Sequence, residues 1–249
     1  MKLTCEKKPI TAMVAASSIK EATATILNAK WQEADAYYIQ LELLPREERT
    51  EENLRQLFSF CAGKPVLVTA YRQGDPDLTD DERADLLLLG LKAGADVLDI
   101  MGDLFHPEPD QLTMDLDAIA KQMALIDRIH RSGGQVLMST HLPVFLPEEE
   151  ILSRFQEQER RGADILKIVS RADTEEQMLQ DLRIAAEAKQ HLTKPYLFLG
   201  SGAFSRTLRL VGPSLGVCMY LGVAHFGTLD FCDQPALTSA SEIRRILEH

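Results

Sequence analysis

A lysine stands in the middle of an apolar run, Asp164-Ile165-Leu166-Lys167-Ile168-Val169. An ammonium among branched aliphatic side chains is disfavoured, and its desolvation lowers the pKa of the amine. A neutral amine there is a nucleophile able to form a Schiff base with a ketone or aldehyde. The alternative is a lysine paired with a buried acid, or one reaching solvent from a strand end. His141 closes the preceding apolar run, Val136-Leu137-Met138-Ser139-Thr140. An imidazole can move protons near neutral pH, although a lone histidine in this place also suits a loop bonded to backbone. Arg72 ends Val68-Thr69-Ala70-Tyr71-Arg72, and Arg209 lies beyond Gly200-Ser201-Gly202. Arginine grips carboxylate or phosphate with two parallel bonds, so these two are candidate clamps for an anionic substrate. Arg206 reads as a surface residue. Asp99, Asp103, His106, Glu108 and Asp110 cluster after another apolar run. Their spacing fits no metal-ligand pattern, so a solvated acidic loop and no metal are expected.

These residues need elements to position them, and the chain supplies an alternation. Eight short apolar runs lie at 12–16, 37–43, 66–71, 97–101, 136–140, 165–170, 196–201 and 217–223. They are continuously apolar, as parallel strands covered on both faces must be. Amphipathic stretches separate them, at 18–30, 47–62, 79–93, 115–132, 147–161, 174–191, a short 205–210, and 239–248. Thr79-Asp80-Asp81-Glu82 has a capping-box pattern. Glycine follows several helices, as in Ala93-Gly94-Ala95-Asp96 and Arg161-Gly162-Ala163-Asp164, a faint internal echo. Eight βα units over the whole chain predict an α/β fold of one domain, a (β/α)8 TIM barrel over 1–249, with residues 1–10 as a lead-in covering its N-terminal end. An open doubly wound sheet is the competitor, but no glycine-rich turn follows the first run. In the barrel, Lys167, His141, Arg72 and Arg209 all fall at the face where βα loops gather.

Composition narrows the partners. The chain has 249 residues with a net charge of −11, which argues against nucleic acid and anionic membranes as general partners and leaves room for a local basic pocket. No apolar run reaches the ~18 residues of a membrane span. Residues 1–8 lack an apolar signal core, so the expected location is cytoplasmic. Cys5, Cys61, Cys218 and Cys232 are widely spaced and read as reduced thiols.

Taken in order, the motifs resemble type I 3-dehydroquinate dehydratases. The similar segments are Pro65 to Arg72, Asp96-Val97-Leu98-Asp99-Ile100, Met138-Ser139-Thr140-His141, Ala163 to Ile168, and Ser205 to Gly212. The resemblance implies a Schiff-base dehydratase of the shikimate pathway, with Lys167 forming the imine and His141 as general acid and base. It implies Arg209 on the substrate carboxylate with Arg72 in support, no cofactor, and a homodimer. The chain also departs from the family pattern. Where the second strand usually has Glu-x-Arg-x-Asp, this sequence has Gln40-Leu41-Glu42-Leu43-Leu44. Met101 replaces a glutamate that the fourth strand usually offers two residues after its aspartate, and Asp233-Gln234-Pro235-Ala236-Leu237 replaces Ser-x-Pro-Gly-Gln in the lid. Gln40, Glu42 and Gln234 are therefore candidate substrate contacts in altered form. The altered positions keep open another lysine-imine lyase or aldolase on a different oxo acid, or a metabolite-binding barrel with little turnover.

Overall fold

Continuous apolar runs form strands here because both faces are covered, by the lumen within and by helices outside. In the computed structural model, which describes residues 3–226 and 233–247, the strands are β1 (Ile10–Val14), β2 (Ala36–Gln40), β3 (Val66–Thr69), β4 (Val97–Met101), β5 (Gln135–His141), β6 (Ile165–Arg171), β7 (Tyr196–Ser201) and β8 (Tyr220–Val223). Each is followed by a helix: α1 (Ile19–Trp31), α2 (Glu51–Ser59), α3 (Asp80–Ala93), α4 (Leu116–Arg131), α5 (Glu148–Arg160), α6 (Glu175–Glu187), α7 (Ser205–Leu215) and α8 (Leu237–Leu247). The strands pair in parallel in the order β7-β6-β5-β4-β3-β2-β1-β8. Where β7 and β8 meet, the Cys218 N–H donates to the Tyr196 carbonyl at 2.8 Å. The chain is a single α/β domain with the eight strands curled into a (β/α)8 barrel.

The echoed Gly-Ala-Asp segments, ending in Asp96 and Asp164, have a structural cause that Glu33-Ala34-Asp35 shares. Asp35, Asp96 and Asp164 each precede a strand. Their carboxylates accept the backbone N–H of Ile10, Val66 and Val136 at 3.0, 2.9 and 2.8 Å. Each aspartate N–H in turn donates to the carbonyl of that same residue. Three neighbouring strand pairs are thus pinned by one device at the N-terminal end, where ladder bonds would otherwise fray. Ahead of β1, Leu3 is buried and its N–H donates to the Gln135 side chain at 2.8 Å.

Several boundaries differ from the sequence expectation. β1 starts at Ile10, inside the stretch expected as a lead-in, because the Pro9 carbonyl accepts the Tyr220 N–H and so draws Ile10 into the ladder. β2 stops at Gln40 and turns into a single 3-10 turn, Leu41–Leu43. The second helix begins only at Glu51, where Thr50 caps the Asn53 N–H. The short seventh helix extends to Leu215 through Pro213 and ends at Gly216, whose φ of 134° suits glycine. That helix end takes up Val217, so β8 begins later, at Tyr220. Cys5, Cys61 and Cys218 are free thiols, and Cys232 lies outside the described residues. No helix among the described residues is long and apolar enough to cross a membrane.

Candidate active site

Strand parity aims the chemistry inward. Alternate residues of a strand face opposite sides, and the register pairs Ser139 with Lys167 and His141 with Val169. The Lys167 amine reaches across the lumen to β2, four strands away, where the Tyr38 hydroxyl accepts its bond at 3.1 Å. Tyr71 OH accepts a second bond at 2.7 Å, and Asp99 Oδ2 a third at 3.2 Å. The ammonium therefore has three acceptors for its three donors. Both phenols donate onward to Asp99 Oδ2, and the Ser139 hydroxyl donates to Asp99 Oδ1 at 2.5 Å. Burial lowers the lysine pKa and Asp99 opposes that shift. The two readings of Lys167, desolvated amine and partner of a buried acid, thus hold together.

The backbone of Lys167 is fixed from the α5 side. Gln158, fully buried, accepts the Lys167 N–H at 3.0 Å and donates to its carbonyl at 2.9 Å. A buried polar side chain with every bond made rigidifies what it holds.

His141 is held by Gln111, from the loop between β4 and α4. The Gln111 Oε1 accepts the His141 backbone N–H at 3.1 Å, which identifies that atom as the amide oxygen. The same oxygen lies 3.1 Å from Nδ1. Nδ1 must therefore carry the proton, which leaves Nε2 as a free acceptor. Burial, then the charges of Lys167 and Arg209, bring the imidazole pKa down to about 3. His141 is thus a neutral base of defined tautomer. The Tyr71 ring packs edge-on against it at 5.2 Å.

A cavity of about 560 Å³ opens above these groups, lined by Lys167, His141, Tyr71, Arg72, Arg209, Gln40 and Gln234, with Met13, Met101, Leu142, Val169, Leu199 and Leu221 as apolar wall. Arg209 is buried; its Nε donates to the Gly200 carbonyl at 2.7 Å and its Nη1 to Gln234 Oε1 at 2.9 Å. Gln234 therefore holds the arginine at the cavity wall. Gln40 is buried, and its Oε1 has no partner among the described residues. That amide oxygen is available to a donor entering the cavity.

Two expected substrate contacts are placed differently. Arg72 borders the cavity, but its fork grips Asp80 at 3.0 and 2.7 Å, and it also bonds the Asp103 carbonyl and carboxylate. Its guanidinium ties the loops after β3 and β4 together. Glu42 is 1% exposed and does not line the cavity. Its carboxylate accepts the Thr69 hydroxyl at 3.0 and 2.8 Å, and burial raises its pKa to about 7. The 3-10 turn after β2 carries its side chain away from the lining. Leu237 is fully buried in the core at the start of α8, as its apolar side chain requires.

Sequence reasoning missed the supporting residues. Arg83 and Arg161 are both 1% exposed. Arg83 donates to the carbonyls of Tyr71, Asp75 and Leu78, and Arg161 to those of Gly102 and Thr113. Each organises a loop bordering the cavity. Nothing in a helical arginine's local sequence distinguishes this from solvent exposure. Among the described residues there is no group of three or more His, Cys, Asp or Glu placed to hold a metal.

A sequence model of the type I 3-dehydroquinase family matches residues 10–249. The chain belongs to that family. It is 25% identical over 248 residues to a catabolic 3-dehydroquinate dehydratase of Acinetobacter baylyi, covering 96% of this chain and 84% of that one. It is 26% identical over 178 residues to a 3-dehydroquinate dehydratase of Klebsiella pneumoniae, covering 70% and 64%. Among solved structures, the type I 3-dehydroquinate dehydratase of Clostridium difficile, described with covalently modified comenic acid, superposes with a TM-score of 0.82 at 19% identity, covering 99% and 98%. That of Geobacillus kaustophilus superposes at 0.81 and 18%, covering 97% and 91%. At these identities the structural likeness carries the barrel fold.

Proposed function

We propose that the chain is a Schiff-base hydro-lyase converting 3-dehydroquinate to 3-dehydroshikimate. The observation that carries this is the joint placement of an amine with lowered pKa and a neutral imidazole with free Nε2 on one cavity. Family membership supports it. Lys167 adds to the C3 ketone and loses water to give an iminium, which acidifies the adjacent C2 proton. His141 Nε2 removes that proton and returns it to the departing C1 hydroxyl. Hydrolysis of the product iminium then frees the amine. Arg209, already oriented by Gly200 and Gln234, holds the substrate carboxylate, and Gln40 accepts a substrate hydroxyl. Arg72 supports the site by ordering its loops. No resident cofactor enters any of these steps. The same reading assigns the chain to aromatic biosynthesis, in the cytoplasm, as a homodimer.

A second reading has its own observation. Met101 forms apolar cavity wall, and the carboxylate of Glu42 and the fork of Arg72 are turned away from an incoming ligand. A less hydroxylated oxo acid would also suit such a lining, and it would use the same lysine. Enone absorbance on incubation with 3-dehydroquinate decides between them. Turnover in the native chain and none in Lys167→Ala supports dehydration; imine formation with other oxo acids alone supports the second reading.

A further inference from the structure

The N-terminal end of the barrel, opposite the catalytic cavity, brings together two cysteines from distant parts of the sequence. Cys5 lies ahead of β1, where its carbonyl accepts the Lys8 N–H at 3.1 Å. Lys8 has a φ of 43°, so the segment closes there as a tight turn. The turn is held on both sides: the Leu3 N–H is anchored on Gln135, and the Pro9 carbonyl accepts the Tyr220 N–H. Cys218 stands two residues before Tyr220 and is fixed by its own N–H on the Tyr196 carbonyl. The two thiols meet, the Cys218 S–H donating to the Cys5 sulfur. Both border a cavity of about 280 Å³, separate from the catalytic one, whose lining includes Lys8, Lys189 and Lys194. Cationic side chains beside a reachable thiol favour its thiolate. Cys5 is half-buried, and the bond from Cys218 holds its pKa below the ordinary value, with burial opposing. Cys218 is buried, and burial, then the bond to Cys5, hold its pKa well above. A nucleophilic thiol thus faces one that keeps its proton. Cys61, the third described thiol, is fully buried away from this cavity, and burial raises its pKa to about 12.

We propose that Cys5 and Cys218 form an oxidation site, in which a hydroperoxide entering the lysine-lined cavity converts the touching thiols to a disulfide that fastens the segment ahead of β1 to the β7–β8 seam. The Cys5 thiolate attacks one peroxide oxygen, and the O–O bond breaks. Two electrons pass from sulfur to the peroxide, and the departing hydroxide takes up the proton that the thiol released, leaving as water. Cys5 is then a sulfenic acid. The Cys218 sulfur attacks the Cys5 sulfur, its own proton goes to the departing hydroxyl, and a second water leaves. Two thiols and one hydrogen peroxide thus give one disulfide and two waters. The bond encloses nearly the whole chain in one loop, the case in which a cross-link restricts the unfolded chain most. It lies at the seam where the Cys218 N–H already joins the ends of the barrel wall. In a reducing compartment the pair rests as thiols and closes on exposure to peroxide.

The test treats the reduced full chain with hydrogen peroxide, blocks the remaining thiols by alkylation, and maps the peptides without reduction. A peptide pair joined through Cys5 and Cys218 is expected, with Cys61 alkylated and the intact mass lower by two hydrogens before alkylation. The urea midpoint of the oxidised chain should rise by about 1 M and return on treatment with dithiothreitol. In Cys218→Ala the second step is blocked, so a sulfenic acid should persist on Cys5 and be captured there by dimedone. Cys5→Ser should show neither the joined pair nor capture at Cys218. Reduced Cys5 and Cys218 after peroxide, oxidation of Cys5 to sulfinic acid with no joined pair, or a link from Cys5 to Cys232 would each overturn the proposal. Faster oxidation of Cys61 than of Cys5 would overturn the assigned order of reactivity, and a joined pair with an unchanged urea midpoint would overturn the fastening of the seam. Should Cys218→Ala not fold, the peptide map of the native chain decides alone.

Discussion

Glu42→Gln should change the pH dependence of folding stability by an amount the structure supplies. Glu42 is 1% exposed and its pKa rises from 4.5 to about 7, chiefly by burial. The Thr69 hydroxyl and the backbone amides of Glu42 and Tyr71 offset only part of that. The unfolded chain releases this proton near 4.5 and the folded chain near 7, so the native state is favoured at low pH. Its advantage is complete below 4.5, falls as pH rises towards 7, and is constant above. At ~1.4 kcal/mol per pH unit of displacement, the loss comes to about 3 kcal/mol. Glutamine cannot ionise, so the variant lacks this loss. Its amide brings two N–H donors into a buried site where the Thr69 hydroxyl can accept only one of them, which costs about 1–3 kcal/mol at every pH. Urea unfolding of both chains from pH 4 to 8 separates the two effects. The difference in stability, variant minus native, should climb by about 3 kcal/mol across that range. Parallel curves would refute the placement of Glu42 in a dry pocket, whatever their vertical offset.

Other expectations follow from the same contacts. Asp181, on α6, is buried, neither carboxylate oxygen meets a hydrogen-bond partner in good geometry among the described residues, and burial, only partly offset by the nearby Ser170 hydroxyl, raises its pKa to about 7. Asp181→Asn should therefore gain stability relative to the native chain as pH rises from 5 to 8, by about 1–3 kcal/mol, and an unchanged difference would contradict it. Nitrogen NMR of the His141 ring should show Nδ1 protonated, Nε2 bare and no titration between about pH 5 and 8; a midpoint near 6.5 would contradict the burial argument. Gln111→Ala should release the tautomer and lower kcat by about tenfold or more with KM little changed. Gln158→Ala strands the Lys167 N–H and carbonyl, and should lower the unfolding free energy by about 2–4 kcal/mol in a urea titration.

The barrel was legible because its signal is periodic and repeated. Continuous apolar runs separated by capped amphipathic helices leave few alternatives, and even the Gly-Ala-Asp echo had a physical basis in the strand clamps of Asp96 and Asp164, a device that Asp35 repeats without the glycine. Lys167 was legible because a charge inside such a run is costly and must be compensated. Its compensators were not: Tyr38 comes from β2, Asp99 from β4 and Tyr71 from just beyond β3, and only closure of the lumen brings them to one nitrogen. Gln111 escaped notice because its tautomer-setting bond joins the β4–α4 loop to β5. Arg72 and Glu42 show the converse. Each stands in a motif position, but Asp80 and Asp103 occupy the first, and a 3-10 turn redirects the second. Side-chain direction after a strand end depends on that turn, which the residue types alone did not reveal.

Dehydration by the proposed route requires Lys167 to form an imine with 3-dehydroquinate. Its most direct measurement is the intact mass of the protein after incubation with that substrate and borohydride reduction, followed by peptide mapping. A single adduct on the peptide containing Lys167, absent in Lys167→Ala and present in His141→Ala, is the result expected. An unmodified chain, or an adduct that persists in Lys167→Ala, would contradict it.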